Sequence, residues 1–319
     1  MEKKIIVICG PTGVGKTGFA ISLSSVFMGE IVGADSMQIY RYLDIGTAKP
    51  DQEERRQAPH HLIDFVDPAH DFDAVKYVAK ADQAIEDIVQ RGKLPFVAGG
   101  TGFYIKALLH GLFKGRTADE KIIAHLEAES ARRGSGALHE RLVTADPVAG
   151  ARIHPNDRFR VIRALEVLES TGKPITHFHE THQFAPCRYK ALKLGLTMDR
   201  ELLYQRINQR VNLMMEMGLV DEVKKLRQKG YSCELKSMQS IGYRHVCAYL
   251  NGMTSYTEMI TLLKRDSRRY AKRQFTWFRN DKEMIWVEPH DLEQASQLVA
   301  EYMEKTHGNH MENNETNND

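Results

Sequence analysis

Gly10-Pro-Thr-Gly-Val-Gly-Lys-Thr17 has the spacing of a phosphate-binding loop: a glycine, four residues, then Gly-Lys-Thr. Its members Gly10, Pro11, Thr12, Gly13, Val14, Gly15, Lys16 and Thr17 are the candidate phosphate ligands. The glycines let backbone N–H groups turn inward around phosphate oxygens. Lys16 brings a mobile cation, and the Thr17 hydroxyl is placed to hold Mg²⁺. Such a loop names a phosphate ligand and leaves the reaction open. A GTPase would add an Asn-Lys-x-Asp base reader, which the sequence lacks. An ATPase would end an apolar strand in Asp to order Mg²⁺ and water. Here residues 94–98 run into Gly99-Gly-Thr-Gly102, and Asp35 is the acidic residue that directly follows a convincing core strand.

Other residue groups suggest different chemistry. Lys264, Arg265, Arg268, Arg269, Lys272, Arg273 and Arg279 crowd one segment, opposed by Asp266 and interleaved with Tyr270, Phe275, Trp277 and Phe278. Cations among aromatics suit a partner that offers phosphates and splayed bases. An amphipathic helix with a solvated basic face would give the same pattern. Arg158, Arg160 and Arg163 form a second basic cluster. His177, His179 and His182, with His154 nearby, have no carboxylate or cysteine to complete a metal set and read as a surface loop. Met214, Met215 and Met217 read as packing.

The elements that must position these groups can be read from periodicity. Ile5–Cys9, 30–34 and 94–98 are short apolar strands, and 16–27 and 72–91 have helical spacing. Strand alternating with helix specifies a doubly wound parallel sheet. From 117 to 172 the strand signal vanishes and helices are expected at 122–133, 137–145 and 157–171. A strand returns at 191–197. Asp199 then caps a long helix to 228 that is interrupted near Gly218, followed by a helix at 257–278, a strand at 284–287 and a helix at 292–305. The expected organisation is a core of residues 1–115 and 190–306, a helical insertion domain of 116–189, and a disordered polar tail from 307.

With 319 residues, 42% of them apolar, the chain can bury a large core, and a net charge of +2 announces no nucleic-acid partner by itself. Cys9, Cys187, Cys233 and Cys247 are widely spaced, so no disulfide framework or zinc knuckle is expected. The apolar run after Met1 is too short for a signal peptide or membrane span. A reduced, cytoplasmic, monomeric protein is the expectation.

Asp35-Ser-Met-Gln-Ile-Tyr-Arg-Tyr-Leu-Asp-Ile-Gly-Thr-Ala-Lys-Pro50 resembles the hallmark segment of tRNA dimethylallyltransferases, also called tRNA isopentenyltransferases. Matching segments follow in order at 60–64, 99–104, 156–166, 210–222, 240–244 and 269–279, so the resemblance spans roughly residues 3 to 305. Ile123 departs from it, standing where family members often have arginine. The resemblance implies a phosphate-loop NTPase-like core with a helical insertion. It also implies transfer of a dimethylallyl group from its pyrophosphate to the adenosine 3′ of the anticodon. In that reading the loop holds a leaving group, with Lys16, Thr17 and Mg²⁺ neutralising it, and Asp35 is the general base. Thr101 resembles the family threonine at the oxygen bridging dimethylallyl and pyrophosphate, and Arg210 the arginine that clamps pyrophosphate. Asp35, Ser36, Met37, Gln38 and Thr101 would meet tRNA, with Arg158, Arg160, Arg163, Gly242, Tyr243, Arg244, Lys272, Arg273, Gln274, Thr276, Trp277 and Arg279. The competing readings are an ATP-dependent small-molecule kinase and a non-catalytic RNA-binding protein.

Overall fold

The structure, a computed structural model, describes residues 3–112, 119–182 and 187–308, without the side chains at 135, 179, 181, 182 and 305–308. The expected boundary at 115–116 lies outside the described residues, as do the His179 and His182 side chains and residues 309–319 of the expected tail. The chain divides into two compact units, Met1–Leu109 with Tyr189–Asp319, and His110–Arg188.

The first unit begins with β1 (Lys4–Cys9), α1 (Lys16–Val26), β2 (Glu30–Gly33), α2 (Gln52–Gln57), β3 (His60–His61), α3 (Ala74–Gln90), β4 (Pro95–Gly99) and α4 (Gly102–His110). The second unit holds α5 (Glu120–Arg133), α6 (Ser135–Ala145), α7 (Pro147–Arg152), α8 (Arg158–Thr171) and α9 (Ile175–His182). The first resumes with β5 (Lys190–Leu196), α10 (Arg200–Glu216), α11 (Leu219–Gln228), α12 (Tyr243–Leu250), α13 (Tyr256–Arg279), β6 (Ile285–Val287) and α14 (Leu292–Gly308). The last helix therefore takes in residues 307 and 308, which were expected in the tail.

Six strands among the described residues form one parallel sheet in the order β3-β2-β4-β1-β5-β6. Ile5 to Cys9 of β1 have no accessible surface, as a central strand covered on both faces requires. The chain steps from β1 to β2 and β3, returns to β4 beside β1, then crosses to β5 and β6 on the other side. Because every strand points the same way, the loops after β1, β2 and β4 gather at one edge, where open α/β sheets take their ligands. Gly99 permits the tightest approach there. A Cβ on it would stand 2.1 Å from the Ala34 carbonyl oxygen.

The loop after β2 has no regular structure until α2, and Tyr42 and Ala48 take positive φ of 68° and 44°. Side chains hold it in place of a ladder. Glu222, in the first turn of α11, accepts from the amides of Asp44, Ile45 and Gly46 at 3.2, 2.8 and 3.3 Å, and from the Tyr243 hydroxyl at 2.5 Å. Lys49 Nζ donates to the Tyr40 carbonyl at 2.7 Å and to Asp44 and Asp64 at 2.6 and 2.8 Å. At the far end of β2 the buried Glu30 accepts from Arg91, Lys93 and His61. Hydrogen bonds from Arg91 outweigh burial and hold its carboxyl far below the usual range.

Capping accounts for the helix starts. Asp73 accepts from Lys76 N, Asp199 from Glu201 and Leu202 N, and Ser255 from Glu258 N. Gly218, at φ 94°, separates α10 from α11, which is the interruption expected there. The second unit packs Leu126, Leu138, Leu142, Val161 and Leu165 into its own core. Its short helices α7 and α9, like α2 and α12, are too short to show a helical period and were not anticipated. The cysteine expectation is corrected. Cys233 and Cys247, 14 residues apart, form a disulfide because α12 folds back onto the preceding loop and brings their Cα atoms to 6.0 Å. Cys9 and Cys187 are free. No helix among the described residues is long and apolar enough to cross a membrane.

Gly99→Ala should lower stability by about 1–3 kcal/mol, because the new methyl group meets backbone rather than a yielding side chain. Gly136→Ala, with nothing within 4 Å of its Cβ, should instead raise it by about 0.5–1 kcal/mol. Urea unfolding of both variants checks this, and an unchanged midpoint in Gly99→Ala would contradict the close packing.

Candidate active site

The phosphate loop connects β1 to α1, and its glycines do conformational work. Gly10, Gly13 and Gly15 have φ of 150°, 83° and 105°, and Gly15 is the N-cap of α1. Pro11 and Val14 are buried beneath the loop. Lys16 folds back so that Nζ donates to the Pro11 carbonyl at 2.9 Å. The loop therefore presents amides, the α1 N-terminus, Lys16 and Thr17 to a cavity of about 260 Å³.

Asp35 follows β2 at the same edge. Its Oδ1 accepts from the amides of Met37 and Gln38 at 2.9 and 3.3 Å, which fixes the carboxylate against the backbone. Gln38 in turn donates to the carbonyls of Thr47 and Ala48 at 3.2 and 3.1 Å. Arg210 comes from α10 and points Nη2 at the Thr47 carbonyl, 3.5 Å away. Thr101 follows β4. Its Oγ1 accepts from the Ser36 amide at 2.9 Å and donates to Ser36 Oγ at 3.3 Å.

A second cavity, of about 310 Å³, adjoins the first. Both are lined by Thr12, Asp35, Thr47, Arg210 and Tyr270, so the two spaces meet at the carboxylate. The first is bounded by the phosphate loop. The second is bounded by Ser36, Met37, Arg244 and Arg273, with apolar Ile207, Val211, Met214 and Leu263.

The electrostatics favour an anion. Burial pulls the Lys16 ammonium down to about 8; Asp35 opposes that shift and Arg210 adds to it. Burial also lowers the Arg210 guanidinium, again opposed by Asp35. Two half-buried cations thus flank one carboxylate, an arrangement that a polyanion would complete.

A family model described as IPP transferase matches residues 38–281, and one described as isopentenyl transferase matches residues 3–64. The chain belongs to the IPP transferase family. A tRNA dimethylallyltransferase of Desulfosudis oleivorans is 52% identical over 301 residues, covering 94% of this chain and 96% of that one. One from Geobacter metallireducens is 51% identical, covering 90% and 93%. Among solved structures, the full-length tRNA isopentenylpyrophosphate transferase of Bacillus halodurans superposes with a TM-score of 0.73 at 42% identity, covering 98% of this chain and all of that one. A eukaryotic dimethylallyltransferase solved acting on tRNA gives a TM-score of 0.79 at 32% identity over 93% and 77%.

In this IPP transferase the expected RNA-contacting residues divide. Arg244, Arg273, Ser36 and Met37 border the second cavity, while Lys272, Thr276 and Arg279 are exposed on α13. Arg273 lies 5.6 Å over the Tyr270 ring and Arg279 4.2 Å over Phe275. Trp277 is half-exposed, with its indole against Gly102. Asp266 gathers the basic segment, accepting from Arg244 at 2.8 Å, Arg265 at 3.0 Å and His245 at 3.2 Å. Burial raises its carboxyl, but these hydrogen bonds prevail and hold it at about 2.

Three expected RNA contacts, Gly242, Tyr243 and Gln274, are buried instead. Tyr243 has no exposed surface and donates to Glu222, while Gly242 is the positive-φ cap of its helix. Gln274 is 6% exposed and bonded within the protein. Arg158, Arg160 and Arg163 lie in the second unit on α8, where Arg158 bonds the Glu127 carbonyl, Arg160 pairs with Asp157 and Arg163 with Glu166. Thr47 and Tyr270, which line both cavities, were missed as site residues. Thr47 acts through its backbone, which composition cannot reveal. Tyr270 was seen only as one aromatic among several.

The Lys16 shift gives a pH dependence with a definite sign. Protonated Lys16 binds phosphate oxygen and neutral Lys16 does not, so affinity for inorganic pyrophosphate should fall as pH rises through about 8. Binding above that pH should take up a proton. Calorimetry in two buffers of different ionisation heat checks this. Lys16→Met should lose that pH dependence, and an equal dependence in both proteins would contradict the assignment.

Proposed function

We propose that this chain transfers a dimethylallyl group from dimethylallyl pyrophosphate to the exocyclic amine of the adenosine 3′ of the anticodon in tRNA, releasing pyrophosphate. The observation that carries it is the meeting of two cavities at Asp35, one lined by the phosphate loop and the other bordered by Arg244 and Arg273. A small-molecule kinase would also need a second cavity for its acceptor, but it has no use for the basic, aromatic face of α13.

The amine of adenine is a poor nucleophile because its lone pair is delocalised into the ring. It needs a proton acceptor, and the departing pyrophosphate needs positive charge. With Oδ1 of Asp35 held by two amides, Oδ2 is left to take the amine proton. As the N–C bond forms, the C–O bond to pyrophosphate breaks and its electron pair leaves with the bridging oxygen. Lys16, Arg210 and the loop amides receive that charge. Thr101, beside Ser36, is the candidate contact to the bridging oxygen.

Mg²⁺ fits the donors present. It keeps several waters and binds through one or two protein oxygens plus substrate phosphate oxygens. The Thr17 hydroxyl in the phosphate cavity is such an oxygen, while no group of three or more His, Cys, Asp or Glu among the described residues offers an all-protein site. Held by Thr17, Mg²⁺ would spread the charge of the leaving pyrophosphate.

The target base is stacked in a folded anticodon loop and must swing out to reach Asp35, at a cost of about a few kcal/mol. The basic, aromatic face of α13 suits that loop, with phosphate contacts from Lys272, Arg273 and Arg279. Acting on tRNA, the protein would work in the cytoplasm, as a monomer.

The test is to incubate the protein with dimethylallyl pyrophosphate labelled in its carbon chain and unmodified tRNA. Label should enter one adenosine of the RNA with release of one pyrophosphate per transfer. No label in RNA, together with transfer of the γ-phosphate of ATP to a small-molecule hydroxyl, would restore the kinase reading.

A further inference from the structure

We infer that Gln274 positions the phosphate loop against the loop that carries Thr101, and does not contact RNA. Its Oε1 accepts from the Thr12 amide at 2.8 Å and its Nε2 donates to the Gly100 carbonyl at 2.9 Å. Thr12 lies in the phosphate loop, and Gly100 directly precedes Thr101. One side chain from α13 therefore ties together the loops after β1 and β4. The task needs a neutral donor and acceptor in one planar group, which among side chains of this length means glutamine.

The fit is close. A Cβ on Gly100 would stand 2.3 Å from Nε2, so a side chain at residue 100 would displace the Gln274 amide from this position. Tyr270, one turn earlier on α13, lies beside both Gln274 and Thr101. The neighbouring Arg273 is exposed and borders the second cavity. The helix that offers cations outward thus sets the pyrophosphate site with its inner face. With both amide atoms committed inside the protein, Gln274 has little left for RNA.

The inference rests on the proposed transfer for its effect on turnover, and its test includes a measurement that does not. Gln274→Met keeps length and burial and removes both hydrogen bonds. In the full chain it should weaken binding of inorganic pyrophosphate by about tenfold and slow single-turnover transfer by about 10–100-fold, with tRNA affinity within about twofold of wild type. Gln274→Glu keeps the acceptor and puts a carboxylate against the Gly100 carbonyl. Its defect relative to wild type should shrink as pH falls from about 8 toward about 5, where the protonated carboxyl again donates.

Lost tRNA affinity with normal pyrophosphate binding would overturn the inference in favour of an RNA contact. Lowered thermal stability with unchanged binding and kinetics would overturn it in favour of simple packing. Should the wild-type protein transfer no dimethylallyl group, the functional reading fails alone, and weakened pyrophosphate binding in Gln274→Met still supports the positioning role.

Discussion

Lys16 and Arg210 are half-buried cations with Asp35 beside them. Desolvation disfavours each of them, as the lowered Lys16 and Arg210 pKa values show, and Asp35 relieves only part of that penalty. Such a site stores an affinity for a multivalent anion, which supplies negative charge without protein reorganisation. It also demands a rigid frame, because two like charges held side by side would otherwise push apart. The parallel sheet provides the frame. Lys16 opens α1 after the loop from β1, Asp35 comes from the loop after β2 and Arg210 from α10.

The loop after β2 shows how that rigidity extends to irregular backbone. It carries positive φ at Tyr42 and Ala48, conformations that L-residues adopt at a cost of about 1–3 kcal/mol each. Glu222 and the buried Lys49 amine over-determine its path with hydrogen bonds to consecutive backbone groups. Gln38 binds the loop's far end back onto its beginning. The consequence for chemistry is that Asp35 and the Thr47 carbonyl face Arg210 from fixed positions. Gln274 does the same for the phosphate loop and the Thr101 loop.

Much of this was legible in the sequence because it follows from local rules. The phosphate loop declares itself by spacing, β1 by an unbroken β-branched run, and the α10–α11 break by Gly218. Asp35 stood out through its place after a strand. What could not be read depends on contacts between distant segments. Gln274 and Tyr243 sit in motifs full of cations and glycines and so looked like surface, yet tertiary packing turns both inward. The Cys233–Cys247 disulfide depends on how α12 folds back, which spacing does not encode. Thr47 contributes a carbonyl, and every residue but its neighbours would look the same there. The merging of two cavities at one carboxylate is a property of the assembled sheet edge and of no single element.

The central claim is that Asp35 takes the proton at the junction of the two cavities, and the chemical step of Asp35→Asn tests it most directly. Asparagine keeps the side chain's size and can still accept from the Met37 and Gln38 amides, so the loop should hold its shape. It cannot accept the amine proton. With both substrates bound to near wild-type affinity, rapid-quench measurement of a single turnover should show transfer slowed by about a hundredfold or more. Transfer at the wild-type rate, or a loss confined to tRNA binding with an unchanged chemical step, would contradict the role of Asp35 as the base.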